Sequence, residues 1–269
     1  MQTFLEKISV MCFAASYAVA FGLESWRAFR PRPIQRIIAI GFGAAGLLAH
    51  VIYLVHQSLI VQKLPLSSPT GSLFLLALIL AVFYIGEAIH HGRIAWALFV
   101  LPVVLGLIGL GVLLHEPNAA PTATLRSFWG VTHGTLLTLA AVGVSIGFIA
   151  SVMYLVQLRR LQAKLLPNQG VPLLSLERLE LMNRRAILWS FPLLTAGLLA
   201  GFALQTSYDW FGMRVLSVVG LWIVSAILLF LRYRVHVRGR QLALWTLFAF
   251  AILVLALISE HSFGQGVGP

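Results

Sequence analysis

The feature that most constrains this chain is a series of long apolar runs, because a helix needs about 20 predominantly apolar residues to cross a bilayer. Eight runs of roughly this kind follow one another: Ser9–Leu23, Ile37–Leu59, Ser72–Ile89, Ile94–Leu114, Phe128–Leu155, Ala186–Gln205, Val215–Leu231 and Leu242–Ser259. Lipid offers the backbone no hydrogen-bond partners, so such runs form helices rather than open strands. The sequence predicts an all-α fold, a polytopic membrane bundle of about eight transmembrane helices, as a single integral membrane domain over residues 1–269.

The distribution of positive charge predicts how this bundle is oriented. The chain carries 19 Lys and Arg against 8 Asp and Glu, and fifteen of the basic residues lie in or beside the loops after the first, third, fifth and seventh runs. Short basic loops stay cytoplasmic. Both termini are therefore predicted outside, on the periplasmic or extracellular side of a bacterial cytoplasmic (inner) membrane. Topology and anionic membrane lipid account for the charge, and we expect no nucleic-acid partner.

The first apolar run has two possible interpretations. The sequence "AVA" at Ala18–Ala20 is typical of a signal-peptide cleavage site, but cleavage there would send a loop with four arginines outward, against the charge rule. We therefore interpret the run as a span. Cys12, the single cysteine, lies within it, which excludes a disulfide, a thiolate metal site and a C-x-x-C-H haem attachment. Any haem on this chain would be held non-covalently.

Two features organise the chain between the spans. Residues 159–185 form the largest predicted cytoplasmic loop; it contains Pro167, Gly170 and Pro172, and its stretch "SLERLELMNRR" predicts a short interfacial helix. Glycines spaced three or four apart let helices approach one another closely. Three such pairs lie within the apolar runs: Gly106 with Gly109, Gly143 with Gly147, and Gly197 with Gly201.

The eight histidines differ in their predicted depth. His133 opens the fifth span at its outer end, His261 follows the eighth span at the same face, and His50 lies near the middle of the second span. An ionisable group inside a membrane is a functional candidate by default. Two neutral imidazoles on one face could ligate haem iron. Zinc is an alternative, but it usually takes three or four protein ligands, and only His115 or Glu260 could join the pair.

The neighbours of these histidines resemble the CcsA/ResC/HemX-like family of haem-handling cytochrome c assembly proteins. The stretch "TLRSFWGVTHGTLLTLA" is similar to that family's outer-face histidine region, and "SEHSFGQG" to its second outer histidine. "NRRAILWSFPLLTAGLLAG" resembles the span between them, and His50, before "LPLSSPTGSL", matches a histidine in the bilayer. The resemblance covers nearly the full chain from the second span onward.

This resemblance implies a function and a set of site residues. His133 and His261 would be the axial ligands of a non-covalently bound haem b at the outer face, and His50 a ligand within the bilayer. Trp129 would pack one turn from His133 on the same helix face. Trp210, in the short loop "TSYDWFGMR", would be a remnant of the family's tryptophan-rich segment. Partners would be a ResB-type assembly protein and an apocytochrome c.

The chain also departs from the family pattern. Its outer loop lacks a full tryptophan-rich segment, and Phe230 stands where a second bilayer histidine is expected. One alternative is therefore a haem-free, HemX-like membrane regulator or interaction subunit linked to tetrapyrrole synthesis, acting through its cytoplasmic loops. A proton transporter using Glu87 beside His90 and His91 ranks last, because no series of acidic residues crosses the predicted bundle. No nucleophile, phosphate loop or paired-carboxylate motif indicates an enzyme acting alone.

Overall fold

The fold of this chain is described from a computed structural model. The structure describes residues 9–29, 33–61, 69–91, 94–114, 128–164, 172–203, 213–235, 237 and 239–262, and within these ranges it is helical, without strands. Eight α-helices follow in order: α1 (Val10–Phe29), α2 (Pro33–Val61), α3 (Pro69–His90), α4 (Ala97–Leu113), α5 (Phe128–Gln162), α6 (Leu176–Phe202), α7 (Met213–Phe230) and α8 (Gly239–Ser262). A short π-helix, Leu231–Val235, directly continues α7. The predicted all-α polytopic bundle of eight helices is confirmed.

Six of these helices are long and apolar enough to cross a membrane; they lie within α2, α3, α5, α6, α7 with its π-helical extension, and α8. The helix α4 is equally apolar but has only 17 residues. The 20-residue α1 carries Glu24 and Arg27 in its second half. The chain is thus a multi-pass membrane protein, and which side its termini face stays a prediction.

The chain packs as two compact units, which we describe separately. The first comprises Met1–His115 with Arg160–Leu174, and the second comprises Glu116–Arg159 with Ser175–Pro269. The single membrane domain over residues 1–269 stays a prediction.

In the first unit, α1 to α4 form a closed arrangement in which each helix packs against two others: α1 and α3 each contact α2 and α4. Glycines make this packing close. A Cβ added at Gly46 of α2 would lie 3.0 Å from Tyr17 of α1, and one at Gly43 would lie 2.9 Å from Tyr84 of α3. The core at this contact is aromatic, and it surrounds the side chain of His50 in α2.

In the second unit, two glycines of α5 allow α6 and α8 to pack closely against it. A Cβ at Gly143 would lie 2.8 Å from Ser190 of α6, and one at Gly147 would lie 3.3 Å from Thr246 of α8. The rings of Phe148 in α5 and Phe250 in α8 stack with centroids 4.0 Å apart. The helix α7 packs against both α6 and α8, so the four helices of this unit also bury a common core.

The interfacial position predicted for a short helix within residues 159–185 stays a prediction; its residues 176–185 are helical, but they belong to a longer helix. The helix α5 continues to Gln162, and α6 runs unbroken from Leu176 to Phe202. Ser175 is the N-cap of α6: its hydroxyl accepts a hydrogen bond from the Arg178 backbone N–H at 3.4 Å. Leu, Glu, Met and Arg, all good helix formers, then lead directly into the apolar run. Helical propensity therefore joins the polar turns to the span.

Candidate functional site

His133 lies near the start of α5, and a backbone carbonyl of α6 orients its ring. The ring is half-buried, and Nδ1 lies 2.7 Å from the carbonyl oxygen of Gly197. A carbonyl oxygen can only accept, so Nδ1 carries the proton and donates it. In a neutral imidazole the other nitrogen, Nε2, then has its lone pair available. Among the residues that the structure describes, none forms a hydrogen bond with that nitrogen.

Gly197 can reach His133 because it has no side chain. A Cβ at this position would lie 2.8 Å from Cδ2 and 3.2 Å from Cγ of Leu137, one turn beyond His133 on α5. The glycine therefore lets α6 come close enough to α5 for the Gly197 carbonyl to accept a hydrogen bond from the imidazole. A metal-ligating histidine usually donates its second ring nitrogen to a carbonyl or carboxylate in this way.

The first two residues of α5 are aromatic, and their side chains are exposed. Phe128 is 76% exposed and Trp129 is 49% exposed, and their rings meet edge to face with centroids 5.7 Å apart. Trp129 precedes His133 by four residues, so both side chains leave α5 on the same face. The predicted contact between Trp129 and a bound ring system stays a prediction.

Two predicted site residues fall where the structure gives no side chain. The backbone of α8 includes His261, but the side chain of this residue lies outside the described set. Trp210 also lies outside the described residues. The structure therefore places one of the two predicted outer ligands, His133, and the convergence of His133 with His261 stays a prediction.

His50 lies in the first unit and is fully buried in an aromatic cluster. The ring of Phe13 stacks on its imidazole with centroids 4.1 Å apart and planes 3° apart, and Phe74 meets it edge to face at 6.3 Å. Its Nδ1 lies 3.5 Å from the hydroxyl oxygen of Tyr17, at the outer limit of a hydrogen bond. Among the described residues, no group lies within hydrogen-bond distance of its buried Nε2.

An unpartnered buried nitrogen requires a physical explanation, because leaving such a group unsatisfied costs about 1–3 kcal/mol. A ligand or a water molecule on Nε2 of His50 would remove that cost. The aromatic side chains enclose the ring completely. A group as large as a porphyrin could therefore reach Nε2 only after neighbouring side chains moved.

A buried polar network in the second unit joins three helices and was not predicted from the sequence. The Asn183 amide of α6 donates hydrogen bonds to the hydroxyls of Ser151 in α5 and Thr246 in α8. Both hydroxyls also donate to carbonyls of their own helices. Each buried polar group here has a partner, as membrane helix contacts require. Asn183 falls in the stretch "SLERLELMNRR", for which the sequence predicted an interfacial helix, and no local pattern indicated that its amide would be buried between helices.

Charged residues of the second unit pair near the same network. Glu180 of α6 forms an ion pair with Arg232 of the π-helix, and the Arg184 guanidinium donates to the Tyr233 hydroxyl at 3.1 Å. Within the described ranges, no three His, Cys, Asp or Glu side chains lie close enough together to share a metal ion.

Eight helices, six of them able to cross a bilayer, together with buried or oriented imidazoles in each unit, define a polytopic membrane protein with candidate sites for a ligand that imidazole binds. Residues 39–267 match the sequence profile of the cytochrome c assembly protein family. Since this match covers most of the chain, the protein belongs to that family. The resemblance inferred from the sequence is confirmed.

Two similar proteins illustrate the relationship. A stretch of 134 residues, 48% of this chain, is 28% identical to the cytochrome c biogenesis protein CcsA of Gloeobacter violaceus and covers 39% of that protein. The fold is similar to that of the cytochrome c heme lyase CcmF, with a TM-score of 0.64 over 94% of this chain and 46% of the other, at 16% identity. The chain thus spans less than half the length of either protein.

Proposed function

We propose that this protein handles haem in cytochrome c assembly and holds haem b non-covalently at the outer face through His133 and His261. The observation that carries the proposal is the hydrogen bond from Nδ1 of His133 to the Gly197 carbonyl. This bond fixes the proton on Nδ1 and leaves Nε2 as an electron-pair donor, the form in which imidazole binds a metal. The donor chemistry of His133 therefore fits a haem ligand.

The surroundings of His133 supply what a flat apolar ligand needs. The two exposed aromatic rings of Phe128 and Trp129 precede the histidine on the same helix, and aromatic faces pack well against planar rings. When bound, haem would supply an iron whose two axial positions accept imidazole nitrogens. Trp210 is proposed as a further aromatic contact. The single cysteine excludes a C-x-x-C-H attachment by this chain.

We further propose that His50 is a second haem ligand, within the bilayer. The unpartnered Nε2 of this buried ring supports the assignment. Side chains of the aromatic cluster would have to move to admit haem, so we expect binding at His50 to be slower than at His133.

The chain acts, in this proposal, as part of an assembly complex rather than as an enzyme alone. A ResB-type protein and an apocytochrome c are the proposed partners. The basic loops support an orientation with both termini outside in a bacterial inner membrane. CcmF is named a heme lyase, but that name describes the longer protein, and we do not propose a lyase activity for this chain alone.

A haem titration tests the assignment of His133. The full chain, purified in detergent, is titrated with haem and followed by absorption spectroscopy. We expect a low-spin spectrum typical of two axial imidazoles, and at least a tenfold weaker apparent affinity in His133→Ala and in His261→Ala, since each loses an iron ligand.

His90→Ala is the matched control for this titration. His90 also directs Nδ1 to a backbone carbonyl, that of Gly86 at 2.9 Å, but it is exposed at the end of α3. We expect its titration to equal that of the unmodified protein. Equal spectra for His133→Ala and His90→Ala would contradict the assignment. A wild-type protein that binds no haem would favour the HemX-like regulator instead.

A further inference from the structure

A polar cavity of the first unit lies where four helices begin or end. It opens between the last turns of α1, the first turn of α2, the last turns of α3 and the start of α4, and it contains about 210 Å³ of space continuous with the exterior. We call it the rim cavity. Helix ends lie at the level of the lipid headgroups in a membrane-spanning bundle, so this cavity faces the interface rather than the hydrocarbon.

Two buried hydrogen-bonding groups that line the rim cavity have no partner among the residues that the structure describes. Tyr84 of α3 is 0% exposed and Trp96, just before α4, is 2% exposed, yet the Tyr84 hydroxyl and the Trp96 Nε1–H are both unpaired among the described residues. An indole nitrogen can only donate a hydrogen bond, and a phenol can donate one. Leaving each donor buried and unpaired costs about 1–3 kcal/mol. The two donors therefore call for an acceptor in the cavity.

The charges that line the cavity sum to one positive charge. Glu24 is neutralised by Arg27, whose Nε and Nη2 lie 2.9 and 2.7 Å from one carboxylate oxygen. Arg36 donates from Nη2 to the Ala88 carbonyl at 2.9 Å, and no carboxylate pairs with it in the described part of the chain. The guanidinium of Arg36 therefore keeps its charge and further donors for a ligand.

The start of α4 adds to this positive potential. Ala97, its first residue, lines the cavity, and no side chain caps the helix at Trp96. The amino-terminal end of a helix carries a partial positive charge, although the N–H groups of Leu98 and Phe99 already donate to the Ala95 and Trp96 carbonyls. A guanidinium, two neutral donors and a helix end thus converge on one small space.

We propose that the rim cavity binds one phosphate group, the phosphodiester of a membrane phospholipid. An anionic acceptor satisfies both buried donors and the charge of Arg36 together. The enclosed part of the cavity has room for about one oxygen-sized group, so a single phosphate oxygen enters while the rest of the headgroup stays at the opening. A headgroup is held at this depth by its own acyl chains, which favours lipid over free phosphate as the source.

A lipid-binding experiment on the full chain tests the proposal. Delipidated protein in detergent is titrated with phosphatidylglycerol, and native mass spectrometry gives the apparent affinity of the first lipid. A parallel arm adds inorganic phosphate alone and measures the thermal denaturation midpoint. We expect about three- to tenfold weaker lipid binding in Trp96→Phe and Tyr84→Phe, since each removes one neutral donor. Arg36→Gln, which removes a charged donor, should weaken binding at least about tenfold.

Matched variants separate the cavity from general effects of composition or charge. Trp189→Phe alters a tryptophan that is 70% exposed on α6, and Arg234→Gln removes an exposed arginine of the π-helix. We expect neither to change the affinity of the first lipid by more than about twofold. Tyr84→Phe keeps the ring and removes only the hydroxyl, so it decides the test even if Arg36→Gln or Trp96→Phe does not fold.

Three outcomes would overturn the proposal. Equal lipid affinity in the cavity variants and their controls would mean that water alone satisfies the two donors. Stabilisation by inorganic phosphate that is lost in Trp96→Phe, together with lipid binding unchanged in that variant, would assign the site to a free anion. If Arg234→Gln weakens lipid binding as strongly as Arg36→Gln, the binding depends on surface charge in general and not on the rim cavity.

Discussion

His50 and His133 place the same side chain in two different kinds of environment. In the second unit, a backbone carbonyl accepts the Nδ1 proton of His133 at 2.7 Å and leaves the ring half-buried. In the first unit, aromatic rings enclose His50 completely and its Nδ1 has a hydroxyl at 3.5 Å, while its Nε2 has no hydrogen-bond partner in the part of the chain that the structure describes. The ring of His133 is satisfied and accessible, whereas that of His50 is enclosed and incompletely satisfied.

This difference shows how a neighbour decides what an imidazole can do. A carbonyl can only accept, so it selects one tautomer and points the other nitrogen outward as a ligand. A hydroxyl can donate or accept, so Tyr17 does not select the tautomer of His50. We therefore expect the tautomer and orientation of His133 to be fixed before a ligand binds, and those of His50 to be fixed only as a ligand binds.

The largest expected effect comes from Gly197→Ala, because it disturbs the group that orients His133. The new Cβ would lie 2.8 Å from Cδ2 and 3.2 Å from Cγ of Leu137, so that this side chain or the two helices must shift. Loss of an orienting partner typically weakens metal binding by about 10- to 100-fold. We expect haem affinity to fall within this range, with a shifted haem reduction potential, which altered packing alone would not produce.

Two variants make the Gly197 test specific. Leu137→Ala in the Gly197→Ala background removes the steric contact and should restore most of the affinity. Gly220→Ala is the matched control, since a Cβ at Gly220 meets nothing within 4 Å. If the wild-type protein binds haem and Gly197→Ala binds it equally well, the Gly197 carbonyl does not orient the His133 imidazole. His133 and His50 would then not differ in how their rings are oriented before haem binds.

A smaller effect is expected from Asn183→Leu, which tests whether the second unit depends on satisfied polar groups. The substitution keeps the approximate volume but removes the amide that links Ser151 and Thr246. Hydrogen bonds between membrane helices contribute on average about 0.6 kcal/mol each. We expect a loss of about 1 kcal/mol in the free energy of unfolding, since both hydroxyls keep a backbone acceptor.

Thermal denaturation in detergent measures this loss. The control is Thr132→Val, which alters a hydroxyl that donates to the Phe128 carbonyl of its own helix. An unchanged midpoint in Asn183→Leu would show that the network adds no stability and that the second unit, like the environment of His50, tolerates unlinked polar groups.

The helices could be predicted from the sequence because their signal is local. Runs of apolar residues locate all eight, but they underestimate the length of several. The predicted fifth span ends at Leu155, whereas α5 continues to Gln162, since a helix persists where its polar residues leave the hydrocarbon. Apolarity marks the part of a helix that lies in lipid, and propensity decides where the helix ends.

The contacts of the site could not be predicted, because they depend on how distant helices rotate against one another. Gly197 lies 64 residues from His133, and its role as a hydrogen-bond acceptor has no local sequence signal. Glycine spacing was an incomplete guide. Gly143, Gly147 and Gly197 lie in close helix contacts, whereas Gly106 and Gly109 face open space. The spacing cannot distinguish a face that meets a helix from one that meets lipid.

His50→Leu and His133→Leu, compared in haem-free protein, should change stability in opposite directions. Replacing His50 removes a buried nitrogen without a partner and should stabilise the protein by about 1 kcal/mol. Replacing His133 removes a good hydrogen bond and should destabilise it by about 1 kcal/mol. The midpoint of thermal denaturation measures both. A fall in both variants would mean that Nε2 of His50 is satisfied by water, and the two environments would then differ in access alone.

The smallest expected effect belongs to Tyr17→Phe, which removes the hydroxyl beside Nδ1 of His50. A separation of 3.5 Å is at the limit of a hydrogen bond, so we expect less than about 0.5 kcal/mol of destabilisation. Nitrogen-15 shifts of the two rings provide a sharper readout. His133 should show a single tautomer protonated at Nδ1, in the variant as in the wild type. His50 should change its tautomer balance when Tyr17 loses its hydroxyl, because among the described residues that hydroxyl is the group within hydrogen-bond distance of Nδ1. A His50 ring that keeps one fixed tautomer in the variant would mean that the aromatic cluster itself prepares this nitrogen for a ligand.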